Sequence, residues 1–281
     1  MKIAGIIVLY NPDQTVGKNI ESYIDDLDIL YAIDNSDQKQ SNIIDTLFNN
    51  PKIHYINNNG NQGIAHALNI GANKAIEMGY GWLLTMDQDS SFNSVVFKKY
   101  LECIQKISQS NQIAIFSPNY LHCNNIETSC SFTEKLTTIT SGSLLNLHLY
   151  PTIGRFDETL FIDEVDHEYC LRANLHNYKV VQFDTIFLNH QIGSQIKINL
   201  LGKAKFKNIH SPLRHYYITR NSLYILLKYH NKFPEYTRHH IWKVSKTLIF
   251  ALIYGENKLI RFKYILEAIK DFLSGKMGKY E

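Results

Sequence analysis

Two aspartates, Asp87 and Asp89, stand one residue apart at the end of the apolar run WLLTM, residues 82–86. Two carboxylates this close repel each other unless a cation or a proton intervenes. Hard divalent cations such as Mg²⁺ take oxygen ligands, commonly one or two carboxylates together with the phosphates of a substrate. The pair and its position at a strand end therefore favour a metal and diphosphate site over an exposed acidic turn.

A second acidic cluster lies in the segment FIDEVDHEYCLRA, residues 161–173. A helix that begins near Glu164 would place Glu168 four residues before Arg172, where the two side chains form an ion pair. Asp166 would then point elsewhere, and a carboxylate in a cleft can act as a general base toward a hydroxyl. The alternative is the capped, salt-bridged start of an ordinary helix.

Two weaker signals accompany these acidic clusters. The loop Gly60-Asn61-Gln62-Gly63 opens a helix pattern, and its glycines would let the backbone approach a phosphate or a sugar closely. A tight turn is the alternative for this loop. His190 follows the strand-like run 180–188, and it is a candidate metal ligand, phosphate contact or polar loop residue.

The elements that must position these residues alternate along the first half of the chain. Short apolar runs predict β-strands over Ile3–Leu9, Ile29–Ile33, Ile53–Ile56 and Trp82–Met86. Between the last two runs, one face of a helix is predicted by apolar residues four apart, namely Ile64, Leu68, Ala72 and Ile76. Gly79 would end this helix. Such alternation predicts an α/β protein with a mostly parallel sheet flanked by helices.

Each of the four predicted strands is followed by polar, turn-forming residues. They are Tyr10, Asn11 and Pro12, then Asp34, Asn35 and Ser36, then NNNGNQG at 57–63, then Asp87, Gln88 and Asp89. In open parallel sheets, ligands bind beyond the carboxyl ends of the strands. Four such ends together predict a crevice for a polar ligand. The chain has no G-x-G-x-x-G after its first strand and no G-x-x-x-x-G-K-[ST], which disfavours dinucleotide and P-loop sites.

Composition bounds the class of protein. The chain has 281 residues, of which 44% are hydrophobic and 20% charged, so a folded core is expected and disorder is not. Residues 1–196 hold 12 Lys and Arg against 21 Asp and Glu, whereas residues 197–281 hold 17 against 5. The resulting net charges of −9 and +12 predict that the C-terminal part faces an anionic surface, with a solvated basic face as the alternative.

The cysteines and the N-terminus point to the cytoplasm. The cysteines at 103, 123, 130 and 170 form no CxxC pair and have no His–Cys ligand spacing, which disfavours zinc. We therefore expect free thiols in a reducing compartment. The start MKIAGIIVLYNPD reads as a first buried strand rather than a signal peptide, and no run of about 18 apolar residues predicts a transmembrane helix.

Several ordered motifs resemble glycosyltransferase family 2, and especially its bacterial rhamnosyltransferase branch. They are VLYNP, AIDNS, NNGNQGIAHALNIG, LLTMDQDS, TSGSLL, FIDEVDHEYCLRA and HYYITRN, and they cover about residues 1–220. The resemblance implies a GT-A fold, a nucleotide-sugar donor, a divalent cation, Mg²⁺ or Mn²⁺, and inversion at the anomeric carbon.

The resemblance also implies roles for individual residues. The positions that match donor nucleotide-binding residues are Tyr10, Asn11, Asp34, Asn61, Gly63 and Asp87. The metal positions are Asp87 and Asp89, with His190 as a further metal or diphosphate ligand. Acceptor-side positions are Ser141, Gly142 and Glu164, and the catalytic base is Asp166, six residues before Arg172 as in the family motif E-D-x-D-x-x-x-R.

The base motif departs from the family pattern at two positions. Val165 replaces the Glu before the base, and Glu168 replaces the Asp that follows it. This form resembles the rhamnosyltransferase branch, but it leaves Asp163 or Glu164 as alternative bases.

The chain is expected to comprise a glycosyltransferase domain, residues 1–220, and a basic helical extension, residues 221–281. In the extension, the apolar residues Leu259, Phe262, Ile265, Leu266 and Ile269 form a stripe at helical spacing. A basic amphipathic helix is typical of a membrane surface, and packing on the sheet domain or in a homodimer is the alternative. Lys197, Lys203, Lys205 and Lys207 are candidate contacts to a lipid-linked diphosphate.

Together these features predict an inverting, metal-dependent glycosyltransferase of surface polysaccharide synthesis such as that of O-antigen or capsule, using dTDP-rhamnose and a saccharide acceptor, lipid-linked or not. It would be cytoplasmic or peripheral on the inner membrane face. The alternatives are the same fold with a UDP-hexose donor, a nucleotidyltransferase, or a nonenzymatic basic protein that binds nucleic acid. For the predicted glycosyltransferase, no nucleic-acid partner is expected.

Overall fold

The computed structural model describes residues 1–38, 50–107, 110–120, 129–190, 195–200 and 203–281, with the backbone alone for residues 190, 195–200 and 203–208. These form two compact units. The N-terminal unit comprises Met1–Phe161 and Val165–Gln191, and the C-terminal unit comprises Ile162–Glu164 and Ile192–Glu281.

The N-terminal unit is an α/β layer structure. Its strands are β1 (Ile3–Leu9), β2 (Ile29–Asp34), β3 (Ile53–Asn57), β4 (Trp82–Asp87), β5 (Ser90–Ser91), β6 (Ile113–Asn119), β7 (Phe132–Lys135), β8 (Ser143–Asn146), β9 (Lys179–Phe187) and β10 (Asn189–His190). Its helices are α1 (Thr15–Glu21), α2 (Ile64–Glu77), α3 (Ser94–Gln105), α4 (Tyr150–Ile153) and α5 (Val165–Leu175), with 3₁₀ turns at Ile24–Asp26, Ser110–Gln112 and Glu158–Leu160.

Eight of the strands form one sheet in the order β3-β2-β1-β4-β8-β6-β9-β7. The neighbours β3, β2, β1 and β4 are parallel, as are β6 and β9, whereas β8 runs antiparallel to both β4 and β6 and β7 runs antiparallel to β9. The mostly parallel sheet predicted from the sequence is therefore confirmed. The four predicted N-terminal strands differ from the observed ones by at most one residue at an end.

The helix predicted between β3 and β4 is confirmed as α2, and it packs tightly on the sheet. Leu68 and Ala72 are buried, and a Cβ added at Gly71 would lie 2.3 Å from the Ile6 side chain of β1. Only a residue without a side chain permits this approach of helix to strand. On the sheet, an aromatic cluster that includes Phe116 and Phe183 fills the core, with ring centroids 6.1 Å apart.

The expectation that all the cysteines are free thiols is wrong for two of them. Cys103 and Cys130 form a disulfide with their Cα atoms 5.3 Å apart. Cys103 lies in α3, which packs against β9, and Cys130 lies just before β7, which pairs with β9. The shared neighbour brings together residues 27 apart in the chain, which no local spacing reveals. Cys170 is buried and free as predicted, and Cys123 lies outside the described residues.

The C-terminal unit is mostly helical. It contains the hairpin β11 (Gln195–Leu200) and β12 (Lys203–Asn208), followed by helices α6 (Pro212–Tyr229), α7 (Pro234–Tyr254) and α8 (Lys258–Leu273). A helical extension is thus present, although α6 runs through the expected boundary at 220/221, and the division there stays a prediction. The side chains of Lys197, Lys203, Lys205 and Lys207 lie outside the described part of the chain. Among the described helices, none is both long and apolar enough to cross a membrane.

Helix α8 is fixed to α6 by buried polar contacts. Arg261 Nη1 donates to His215 Nδ1 at 3.0 Å, and Tyr216 Oη donates to Asp271 Oδ2 at 2.7 Å. Burial, and then the charge of Arg261, lowers the pKa of His215 to about 4. The imidazole is therefore neutral near pH 7 and can accept the bond from Arg261. These contacts set which face of α8 turns toward α6.

The disulfide predicts a stability that depends on redox conditions. Replacing Cys103 with Ser releases a closed loop of 27 residues, and chain entropy places the loss at about 3.5 kcal/mol of unfolding free energy under oxidising conditions. Urea unfolding of the wild type and of Cys103→Ser, each with and without dithiothreitol, measures it. The wild type should match the variant when reduced. Equal stability of the two oxidised proteins would contradict the structural role.

Candidate functional site

The carboxyl ends of four parallel strands meet at one edge of the sheet. Leu9 of β1 pairs with Asp34 of β2, and Asp34 pairs with Asn57 of β3. On the other side of β1, Val8 pairs with Asp87 of β4. The register therefore brings the predicted residues that follow β1 to the same edge as Asp34 and Asp87.

Gln88, which stands between the two aspartates, holds the loop after β1. Its side-chain Oε1 accepts from the Tyr10 backbone N–H at 2.8 Å, and its Nε2 donates to the Tyr10 carbonyl at 3.1 Å. Asn11 adopts a left-handed backbone conformation with φ 45°, and its N–H donates to Ser36 Oγ at 2.7 Å. Tyr10 is thereby fixed at the backbone while its side chain remains 46% exposed. A pairing of these two loops was not predicted, because Gln88 carried no signal beyond its position between Asp87 and Asp89.

Asp34 is a buried carboxylate with both oxygens in hydrogen bonds. Oδ1 accepts from the Ser36 N–H at 2.9 Å, and Oδ2 accepts from the Tyr55 hydroxyl at 2.7 Å. Burial, and then the bond to Asp34, raises the pKa of Tyr55 above its usual range, so this phenol stays a donor. These bonds fix the orientation of the carboxylate at the end of β2.

The glycine-containing loop before α2 depends on the absence of a side chain. Gly63 has φ 89°, and a Cβ there would lie 2.7 Å from the carbonyl oxygen of Phe161. That carbonyl accepts from the N–H of Ile64, the first residue of α2, at 2.8 Å. Asn61 Oδ1 accepts from the Gly63 N–H at 3.0 Å, and Asn35 Nδ2 donates to the Gly63 carbonyl at 3.0 Å. The loop is therefore a hydrogen-bonded tight turn beside the end of β2, and its contact with a nucleotide stays a prediction.

A single turn, residues 140–142, contacts both acidic motifs of the N-terminal unit. The Ser141 hydroxyl accepts from the Asp87 N–H at 3.1 Å, and the Thr140 N–H donates to Asp166 Oδ2 at 3.3 Å. Gly142 has φ 77°, and a Cβ there would lie 2.7 Å from Pro118, so this position favours glycine. The turn therefore makes hydrogen bonds both to the backbone of the predicted metal motif and to the carboxylate of the predicted base.

Thr85 anchors this turn from inside the sheet. Its hydroxyl, which is fully buried, lies 2.5 Å from the Thr140 carbonyl and 3.0 Å from the Ser143 carbonyl, and the Gly142 N–H donates to the Thr85 carbonyl at 2.8 Å. Thr85 was not predicted from the sequence. A polar residue inside the apolar run WLLTM, two positions before Asp87, was the available signal.

Asp166 lies in the first turn of α5 and is half-buried. Its Oδ1 accepts from the His167 N–H at 2.8 Å, which leaves the carboxylate at a helix N-terminus where negative charge is favoured. The predicted ion pair of Glu168 with Arg172 is confirmed: Arg172 Nε and Nη2 donate to its two carboxylate oxygens at 3.1 and 2.7 Å. Glu168 is therefore occupied in holding the helix, and Asp166 is not part of that pair.

The other two base candidates belong to the C-terminal unit. Arg214 donates to both carboxylate oxygens of Asp163. Glu164 is buried, with its Oε1 3.0 Å from His240 Nε2 and 3.4 Å from Ser222 Oγ. Both acidic residues have left-handed backbone conformations, with φ of 63° and 66°.

The residues at the end of β4 fit a hard divalent cation. Asp87 is half-buried and Asp89 is exposed, with the Ser90 hydroxyl donating to Asp89 Oδ1 at 3.4 Å. The backbone of His190 pairs with that of Ser90 in the short β5–β10 ladder, so the predicted further ligand stands next to the aspartate motif. The carboxylates of Asp87 and Asp89 are oxygen donors of the kind that Mg²⁺ or Mn²⁺ accepts.

Comparison with known proteins decides the family. A family model described as glycosyl transferase family 2 matches residues 6–124. The dTDP-rhamnosyl transferase RfbF of Shigella flexneri is 31% identical over 98% of this chain and 97% of its own length. The chain belongs to glycosyltransferase family 2. A second relative, the low-salt glycan biosynthesis hexosyltransferase Agl10 of Haloferax volcanii, is 25% identical and covers 66% of each chain.

Solved structures agree with this family at the level of the fold. S. aureus TarS superposes with a TM-score of 0.58 at 15% identity over 98% of this chain and 49% of TarS. GalNAc-T7, solved with UDP, GalNAc and Mn²⁺, superposes with a TM-score of 0.61 at 15% identity over 98% of this chain and 56% of its own. The GT-A fold expected from the motifs is therefore confirmed, and the family 2 chain is a glycosyltransferase.

The anchoring role of Thr85 gives a stability prediction. Thr85→Val keeps the shape of the side chain but removes the buried hydroxyl that bonds to the Thr140 and Ser143 carbonyls, and the loss of such a hydrogen bond costs about 1 kcal/mol. Urea unfolding measures the loss. Thr133→Val is the matched control, because its hydroxyl bonds Asp184 at an exposed site. Equal effects of the two substitutions would contradict the anchoring role.

Proposed function

We propose that this family 2 enzyme transfers rhamnose from dTDP-rhamnose to a saccharide acceptor with inversion, in bacterial surface polysaccharide synthesis. The observation that carries the proposal is the turn at residues 140–142, which contacts Asp87 and Asp166 at one edge of the sheet. The donor sugar is proposed from the likeness to RfbF, whose name describes a dTDP-rhamnosyl transferase.

The donor would occupy the edge formed by the ends of β1 to β4. The exposed ring of Tyr10 and the side chain of Asn11 are proposed to contact the base, and the oriented carboxylate of Asp34 the ribose. Asn61 and Gly63 would line the nucleotide from the loop before α2. Asp87 and Asp89, with His190 as a further ligand, would hold Mg²⁺ or Mn²⁺, whose charge offsets the negative charge that grows on the leaving diphosphate.

Asp166 is the proposed general base. Its carboxylate accepts the proton of an acceptor hydroxyl while the hydroxyl oxygen forms a bond to the anomeric carbon. The bond from that carbon to the donor phosphate breaks in the same step, and its electron pair leaves with the diphosphate. Attack from the face opposite the leaving group inverts the configuration.

The contacts of the competing carboxylates support this choice of base. The carboxylate of Asp163 accepts two hydrogen bonds from Arg214, and Glu164 is buried against His240. Both side chains are therefore engaged by partners within the C-terminal unit. Asp166, held by two backbone N–H groups, is half-buried.

For the acceptor we propose a saccharide, lipid-linked at the inner face of the plasma membrane, reached by a cytoplasmic or peripheral enzyme. Ser141, Gly142 and Glu164 are the proposed acceptor-side residues. Because the Ser141 hydroxyl is buried on Asp87, its part would be to shape the turn. A disulfide between Cys103 and Cys130 is unusual in a reducing cytoplasm. We propose a cytoplasmic enzyme because the nucleotide-sugar donor is expected in that compartment.

A second donor class has its own support. Agl10 is named as a hexosyltransferase, and neighbours of the same fold were solved with UDP-sugars or with UDP. A UDP-hexose would be handled by the same metal motif and the same base. The two candidates differ only in the nucleotide and the sugar that the donor edge selects.

A panel of nucleotide sugars tests donor and site together. Thermal shift and donor hydrolysis are measured with and without Mg²⁺ or Mn²⁺. We expect dTDP-rhamnose to be selected, with the metal-dependent response lost in Asp87→Ala. Asp25→Asn, an exposed carboxylate in a 3₁₀ turn, should behave as the wild type. Selection of a UDP-hexose would replace dTDP-rhamnose as the proposed donor. A folded protein that responds to no donor would overturn the proposal.

The base is tested separately from the donor. Asp166→Asn keeps the side-chain shape but cannot accept the proton, so we expect donor-dependent thermal shift to remain while transfer falls on the order of a hundredfold or more. Transfer to a synthetic lipid-linked saccharide, followed by product analysis, gives both rate and anomeric configuration. Transfer at the wild-type rate would remove Asp166 as the base, and Glu164→Gln would then be examined.

A further inference from the structure

Helix α8 carries an exposed apolar stripe on a folded unit. Its members are separated by three or four residues and are between 37% and 85% exposed: Leu259, Phe262, Leu266, Ile269 and Leu273. At 100° per residue, they cover only about 80° of the helix surface. Of the stripe predicted from the sequence, Ile265 is half-buried and lies beside the exposed set. Large contiguous apolar patches on a protein surface mark interaction sites.

The stripe is exposed because the opposite face of α8 is already used. Arg261 and Ala268 are buried, and Arg261 and Asp271 form the hydrogen bonds to α6. These residues lie roughly 140° around the helix from the stripe. Rotating α8 to bury the stripe would therefore expose the guanidinium contacts that fix it.

A second set of exposed apolar side chains lies on α7 with the same spacing. Trp242, Ile249 and Ile253 are each more than half exposed. Lys246 completes the row between Trp242 and Ile249, with its Nζ 3.5 Å from the centre of the indole ring. An aromatic ring beneath a lysine whose charged end can reach water is typical of side chains at a membrane interface.

Charge selects one occupant for these faces. Residues 197–281 carry 17 Lys and Arg against 5 Asp and Glu. Lys258 flanks the α8 stripe on one side, and Lys263 and Lys270 flank it on the other. Two such units would repel each other, which disfavours a second copy, whereas an anionic lipid surface attracts each nearby Lys or Arg.

We propose that the exposed stripes of α8 and α7 dock the protein on an anionic phospholipid bilayer. The apolar side chains enter the headgroup region, and the flanking lysines contact lipid phosphates, as in interfacial amphipathic helices. The exposed stripes and their flanking lysines do not depend on the donor chemistry. The inference rests on the proposed function only for the reason why the protein meets a bilayer, which is a lipid-linked acceptor.

Vesicle co-sedimentation of the full chain tests the docking. We expect the wild type to sediment with vesicles of phosphatidylcholine and phosphatidylglycerol, far less with phosphatidylcholine alone, and less at high salt. The combined variant Leu259→Ser, Phe262→Ser and Leu266→Ser should lose about tenfold or more in vesicle binding. Met78→Ser with Val95→Ser is the matched control, since these residues are similarly exposed in the N-terminal unit and should not alter binding.

Two further measurements separate the explanations. Circular dichroism and donor-dependent thermal shift of the stripe variant should equal the wild type, which keeps a failure of docking distinct from a failure of the proposed function. Equal sedimentation of wild type and stripe variant, or no sedimentation of the wild type, would overturn the proposal. A wild-type dimer that becomes a monomer in the stripe variant, without vesicle binding, would assign the surface to a second copy.

Discussion

The parallel pairing of β1 with β2 on one side and β4 on the other is the constraint on which the site depends. Parallel strands end at the same edge, so this register places Asp34 and Asp87 on either side of the end of β1. Carboxylates gathered at one edge repel each other. The fold tolerates them because Asp34 is satisfied by Ser36 and Tyr55, whereas the pair at the end of β4 suits a cation and a diphosphate.

The turn at residues 140–142 connects this edge to Asp166, the proposed base. Thr85 lies in β4, the strand that ends in Asp87, and its hydroxyl bonds to the turn. The same turn contacts both Asp87 and Asp166. A shift of β4 would therefore move the metal motif and the turn together. Residues on rigid elements with supporting hydrogen bonds keep catalytic geometry more precisely than residues on loops.

Local patterns predicted the strands, α2 and the ion pair of Glu168 with Arg172, because each depends on spacing within about one element. The prediction of free thiols at Cys103 and Cys130 was wrong, since these two residues meet only through their common neighbour β9. The supports of the site, Thr85 and Gln88, were missed for the same reason: their partners lie 55 and 78 residues away. The family motifs predict which residues contact the donor and the metal, but they carry no information about which side chains hold those residues in place.

The chain immediately before the proposed base is shaped by the C-terminal helices. Two successive non-glycine residues, Asp163 and Glu164, have positive φ, and such conformations cost roughly 1–3 kcal/mol each unless neighbouring contacts impose them. Asn221 Nδ2 donates to the carbonyls of Ile162 and Asp163 at 2.7 and 3.0 Å, and His240 holds Glu164. Helix α5, with Asp166 in its first turn, begins one residue later. The C-terminal helices therefore contribute to the backbone that leads into the base, as well as carrying an exposed apolar surface, and removing them would release that strained segment.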